Sequence, residues 1–345
     1  MIFSTLAEKR RRLASITLAA LLLGGCATPP QHTQAAAGVA PVLDTGFADP
    51  FILPLEDGSL VAYATNRAGP GGAPIHVARS TSADGLHWTA PVDAMPSPPP
   101  WARAARPDIW APEVMRIGTR YVLYFTARHA TRQRPDGLTL CLGAATSDTP
   151  QGPFVPQPAP LTCGGTYGVI DASPYRDTDA AGHTRLWLGY KTDGNCCGVT
   201  TRFLVQRLAG DGLSLAGQPQ ALAGIANDAP WEGHVIEAPQ FVLHAGQLYL
   251  FYAGNDYGSG AYATGYARCE GPLGPCHDAP ENPILSSRPG PPALVGPGHQ
   301  SVFHAHGRDW IAFHGWRPAG PGGSRYRALY ILPLDWTHGR PVVGP

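Results

Sequence analysis

Three acidic residues interrupt stretches that otherwise read as buried chain. They are Asp49 in Ala48-Asp49-Pro50-Phe51, Asp171 in Val169-Ile170-Asp171-Ala172, and Glu237 in Val235-Ile236-Glu237-Ala238-Pro239. A charge in an apolar strand is costly unless it is paired or used. Singly, each has an ordinary reading: a turn at Asp49-Pro50, a strand end at Asp171, a paired structural carboxylate at Glu237. Together in one low-dielectric pocket they could not all ionise freely, and their pKa values would separate. One carboxylic acid and one carboxylate side by side are what glycoside hydrolysis requires: a proton for the leaving oxygen and a base for water.

Whether they meet depends on the elements that carry them, and those elements repeat. Five segments share a plan of special residue, short strand, polar turn and aromatic-rich strand. They are ADPFILPLEDGSLVAYAT, IWAPEVMRIGTRYVLYFTA, IDASPYRDTDAAGHTRLWLGYK, IEAPQFVLHAGQLYLFYAG and GHQSVFHAHGRDWIAFHGW. A third strand follows in each, and a fourth is weakly marked. The special residues Asp49, Trp110, Asp171, Glu237 and His299 recur at intervals of 61, 61, 66 and 62 residues. Five antiparallel units of this length predict an all-β, five-bladed β-propeller, whose innermost strands converge on one axis. A two-sheet sandwich would scatter the same residues over loops and has no need of five equal repeats.

Composition agrees with short strands and sharp turns. The 345 residues include 42 Gly and 37 Pro, and only 14% are charged, with a net charge of zero. This leaves no electrostatic footprint for nucleic acid. Residues 1–25 combine a basic cluster, Lys9-Arg10-Arg11-Arg12, with an apolar run from Leu13 to Leu23, the pattern of a signal peptide. The run ends in Leu23-Gly24-Gly25-Cys26, which resembles the lipobox of bacterial lipoproteins and implies lipidation at Cys26. Ala27 in the next position implies the outer membrane, on its periplasmic or surface face. Residues 26–42 then read as a lipid-anchored flexible tether, and residues 43–345 as the catalytic domain. The six cysteines after Cys26 form an even set in an exported chain and favour disulfides. Spacing suggests Cys269 with Cys276 and Cys141 with Cys163, leaving Cys196-Cys197 as a vicinal pair, bonded or free.

The acidic motifs occur in an order that resembles the family 43 glycoside hydrolases. Trp110-Ala111-Pro112-Glu113, Gly296-Pro297-Gly298-His299, and the blade-end phrases Ala83-Asp84-Gly85-Leu86-His87-Trp88 and Asp148-Thr149-Pro150-Gln151-Gly152-Pro153-Phe154 add to the likeness. The resemblance implies an inverting mechanism with Asp49 as general base, Glu237 as general acid, and Asp171 raising the pKa of Glu237 and orienting it. It also implies that His299 faces the axis, where a calcium ion could be contacted through water, and that Arg327 reaches the site from the last blade. No cofactor is required for the chemistry. Trp110 and Phe51, with Phe47 and Tyr167 nearby, are candidates to stack on a sugar face.

The substrates implied are α-L-arabinofuranosyl or β-D-xylosyl linkages of arabinan, arabinoxylan or their oligosaccharides, cleaved by a monomer. Two alternatives are a lipid-anchored sugar-binding propeller without hydrolysis and a retaining fructan-active propeller. The latter lacks its Arg-Asp-Pro motif, since Arg106-Pro107-Asp108 has another order. The insert Lys191-Thr192-Asp193-Gly194-Asn195-Cys196-Cys197-Gly198 follows the second strand of the third unit and has no assigned role. It could shape a subsite at the rim.

Overall fold

A computed structural model describes residues 38–344, apart from residue 180 and residues 319–323. The expected signal peptide, Cys26 and most of the tether lie outside the described residues. Five four-stranded antiparallel sheets are formed in chain order, each adding strands outward from its first. The innermost strands are Phe51–Pro54, Trp110–Ile117, Val169–Thr178, Ile236–His244 and Gly298–Ala305. The second strands are Leu60–Ala64, Arg120–Arg134, Thr184–Thr192, Gln247–Gly254 and Arg308–Arg317. The weakly marked fourth strand is present in every blade, as short as Val92–Asp93 and Val155–Pro156. This is the predicted five-bladed β-propeller.

The second and third strands are buried along their middle stretches, because each blade packs its aromatic faces against its neighbours. Tyr63, Phe125 and Phe154 fill the seam between the first two blades. Tyr249, Phe251, Phe313 and Tyr330 fill the seam between the last two. The ring closes without a covalent link: the backbone N–H of Val42 and that of Phe47 donate to the carbonyls of Leu329 and Arg327 in the last blade. Arg317 adds a two-pronged pair to Asp44, both contacts at 3.0 Å. All three disulfides are formed. Cys141–Cys163 ties the third strand of blade 2 to the following loop, Cys269–Cys276 clips two strands of blade 4, and Cys196–Cys197 is bonded.

The innermost strands share one irregularity that sets the site. In blades 2 to 5 the pairing with the second strand skips two residues, a β-bulge. The first residue of the irregular pair is left-handed in every blade: Asp49 (φ 54°), Ala111 (46°), Asp171 (60°), Ala238 (54°) and His299 (52°). Asp and His are among the types that tolerate this region best, and Ala is small.

This register corrects the sequence-based one. Asp49, Asp171 and His299 are equivalent, but Trp110 and Glu237 stand one residue earlier, level with Ala48, Ile170 and Gly298. A bulge breaks strict strand alternation, so residues at both levels can face the same mouth.

Candidate active site

The bulged residues are fastened to one another around the ring. The second-strand residues opposite the pre-bulge position are Thr65, Thr126, Lys191, Ala253 and His314, taking Thr65 just past its strand. Thr65 Oγ1 accepts the N–H of Ala111 in the next blade (3.1 Å), and Thr126 Oγ1 accepts that of Asp171 (3.2 Å). His314 Nδ1 closes the circle by accepting the N–H of Asp49 (3.1 Å). In the third blade, Asp171 Oδ2 accepts the N–H of Ala238 (2.9 Å). Four of the five positions, Asp49, Ala111, Asp171 and Ala238, are thus held by the blade before them, which fixes where their side chains point.

A cavity of about 220 Å³ opens over this ring. It is lined by Asp49, Asp171 and Glu237 together with Trp110, His299, Arg327, Thr65, Asn195 and Tyr257. The three carboxylates therefore do meet. Phe51 does not reach the cavity; it packs against the core between blades 1 and 2, because it is two residues beyond the bulge. Phe47 is fully buried in core, and Tyr167 is also absent from the lining. The aromatic that takes their place is Tyr257, from the loop after the second strand of blade 4; Arg327 lies over its ring at 4.9 Å.

Asp49 is surrounded by donors. Arg327 Nη1 lies 2.7 Å from Oδ1, Thr65 Oγ1 donates to Oδ2, and His299 Nδ1 lies 3.5 Å from Oδ1. Burial alone would raise its pKa, but Arg327, then His299 and His314, outweigh it and hold the carboxyl well below the ordinary range. Burial pushes His314 down to about 4, helped by Arg327. It is therefore neutral at pH 7.

Asp171 and Glu237 divide differently. Burial drives Asp171 up to about 6; His299 opposes the rise and Glu237 adds to it. Glu237 is equally desolvated, yet its pKa is lowered, chiefly by Lys191 and then by the Tyr262 hydroxyl. Tyr262 donates to Oε1 (2.7 Å), while Asn195 Nδ2 (3.1 Å) and Lys191 Nζ (3.4 Å) donate to Oε2. Gly298 makes room for this: a Cβ there would lie 2.2 Å from the Tyr262 ring. In the free site Glu237 is thus the carboxylate, and Asp171 is the group that holds a proton to about pH 6.

Lys191, Tyr262, His314 and Thr65 were not singled out as site residues by the sequence. They lie on second strands or in the loop before a third strand, and their role comes from the next blade rather than from their neighbours. His299 lines the cavity beside Asp49 and Asp171. Among the described residues, the only trio of His, Cys, Asp or Glu side chains close enough to share an ion is Asp136, Cys196 and Cys197; it does not include His299, and its two sulfurs are joined in a disulfide. No step below uses a metal.

A five-bladed propeller with three carboxylates in a cavity on its axis defines a class of sugar-cleaving enzymes, and the comparisons with known proteins agree. The model of glycosyl hydrolases family 43 matches residues 39–341, and the chain belongs to that family; it is a glycoside hydrolase. A probable arabinan endo-1,5-α-L-arabinosidase A of Aspergillus flavus is 26% identical over 311 residues, covering 84% of this chain and 85% of its own. An extracellular endo-α-(1→5)-L-arabinanase 2 of Bacillus subtilis is 27% identical over 260 residues, covering 62% and 52%. Among solved structures, a thermostable family-43 glycoside hydrolase superposes with a TM-score of 0.72 at 29% identity, covering 89% of this chain and 96% of that one.

Proposed function

We propose that this chain hydrolyses α-L-arabinofuranosyl or β-D-xylosyl linkages of arabinan, arabinoxylan or their oligosaccharides with inversion at the anomeric carbon. The observation that carries the reading is the convergence of Asp49, Asp171 and Glu237, each from the innermost strand of a different blade, on one cavity in a chain of this family. Arabinan is the favoured polymer, since curated relatives that align over much of this chain bear arabinan-cleaving names.

In the mechanism, Asp49 takes a proton from a water whose oxygen bonds to the anomeric carbon. The glycosidic bond breaks, its electron pair stays on the leaving oxygen, and Glu237 supplies that oxygen with a proton. The products are a sugar of inverted configuration and a new hydroxyl end; Asp49 ends protonated and Glu237 ionised, and exchange with solvent restores both. Asp171 and Glu237 titrate as a pair, and the reactive form carries the proton on Glu237. The cavity, about 220 Å³, is below the roughly 300–1,000 Å³ of pockets for drug-sized ligands. It suits one sugar ring, with Trp110 and Tyr257 in its lining.

The test is release from arabino- and xylo-oligosaccharides by wild type, Asp49→Asn and Glu237→Gln. Each variant is expected to stay folded and lose turnover by orders of magnitude. Unchanged hydrolysis in either sinks the assignment, and the anomer first formed, followed by NMR, decides between inversion and retention.

The same proposal places the enzyme outside the cytoplasm, as a monomer tethered to the outer membrane through a lipidated Cys26. Support comes from the Leu23-Gly24-Gly25-Cys26 stretch after an apolar run. Labelled palmitate incorporated by wild type and not by Cys26→Ala is the expected result.

A further inference from the structure

We infer that Lys191 and Asn195 are positioning residues for proton donation: they hold and stabilise the Glu237 carboxylate that is left when the leaving group takes its proton. The inference rests on Glu237 being the general acid.

Lys191 is completely buried, an expensive place for an ammonium unless it has a partner. Its ring position explains how it comes to face Glu237. At the equivalent places Thr65, Thr126 and His314 accept the backbone N–H of the next blade's bulge. A lysine has three donors and no acceptor, so it cannot do this. Asp171 Oδ2 accepts the Ala238 N–H instead, and Lys191 Nζ is free to turn to Asn195 Oδ1 (2.7 Å) and Glu237 Oε2 (3.4 Å).

Asn195 completes the geometry. It opens the short 3₁₀ turn Asn195–Cys197, which ends at Gly198 in a left-handed conformation (φ 63°). Its Oδ1 receives Lys191 while its Nδ2 donates to Glu237 Oε2 (3.1 Å), so one amide bridges cation and carboxylate. With Tyr262 on Oε1, all three donors favour the ionised product of proton transfer. The remaining charged or titratable groups facing Glu237 are Asp171 and His299, with Asp49 and Arg327 across the cavity. Lys191 is the cation closest to it among those in direct contact.

The experiment compares full-length wild type, Lys191→Met, Asn195→Ala and Glu237→Gln over pH 4–9 on two substrates. One is an arabino- or xylo-oligosaccharide that wild type cleaves, whose sugar leaving group needs the proton. The other is the matching 4-nitrophenyl glycoside, whose leaving group needs it far less. Removing the cation should raise the alkaline limb of kcat/KM on the oligosaccharide by roughly one to three pH units, and Asn195→Ala should raise it by less. On the nitrophenyl glycoside both shifts should be much smaller. An unmoved limb in Lys191→Met, or a loss uniform across pH and equal on both substrates, overturns the inference. Should Lys191→Met not fold, Asn195→Ala, at an exposed position, decides by the same criterion. Glu237→Gln separates the two levels: full oligosaccharide activity there refutes the role of Glu237, whereas its loss beside an unmoved Lys191→Met limb refutes only the role of Lys191.

Discussion

His314 Nδ1 accepts the backbone N–H of Asp49 at 3.1 Å across 265 residues of sequence. That bond joins the last blade to the first at the residue proposed as general base. The same Nδ1 lies 3.2 Å from Asp49 Oδ1, so one buried imidazole touches both the backbone and the carboxylate of that residue.

Replacing His314 with Phe keeps a flat ring but leaves the Asp49 N–H without an acceptor. An unmet buried donor costs about 1–3 kcal/mol, so a lower midpoint of thermal unfolding is expected. A fall in kcat of ten-fold or more should accompany it, because the bulge that aims Asp49 loses its tie. Calorimetry and steady-state kinetics on one preparation check both.

Arg327→Met removes the nearest cation from Asp49, whose Oδ1 lies 2.7 Å from Nη1. Burial then acts with less opposition, and the acid limb of kcat/KM should move to higher pH. The sign for stability follows. The folded pKa of Asp49 is depressed, so the pairing stabilises above the unfolded value and is lost as pH falls through the folded one. Arg327→Met should flatten that acid-side loss in a series of denaturation curves.

A second cluster predicts pH dependence away from the cavity. The Tyr252 hydroxyl lies 2.8 Å from Glu232 Oε1 and 2.7 Å from Asp278 Oδ1, and one proton cannot serve both acceptors. Desolvation, reinforced by Glu232, raises Asp278 to about 6. Its stabilising protonated form is present below the unfolded pKa of 3.8 and is lost as pH rises through about 6. Asp278→Asn should gain on wild type above pH 6 and match it near pH 4, as read from urea midpoints.

The disulfides should separate stability from activity. Cys141–Cys163 spans 22 residues, and opening it by double serine substitution is expected to cost about 2–4 kcal/mol. Cys196–Cys197 joins neighbours in sequence and encloses almost no chain. Its double serine variant should unfold near the wild-type temperature yet lose kcat on oligosaccharides, because Asn195 stands at the head of that turn.

Much of this was legible in the chain itself. Near-equal spacing of five strand pairs of about sixty residues predicts a propeller, and a propeller brings Asp49, Asp171, Glu237 and His299 to one mouth. Arg327 was legible only through family likeness. Phe51 was misplaced because nothing local tells an aromatic facing the channel from one facing the next blade.

What only the tertiary structure decided is how the site is tuned. A bulge is a property of pairing between strands, so the one-residue offset of Glu237 from Asp49 and Asp171 is invisible in an interval count. The electrostatic roles depend on distance through space, and they came from residues on the adjacent blade: His314 and Arg327 for Asp49, Lys191 and Asn195 for Glu237. The sequence determined that carboxylates would converge. Which of them keeps a proton was decided by the cations that folding places within 4 Å of them, at 2.7 Å for Arg327 and 3.4 Å for Lys191.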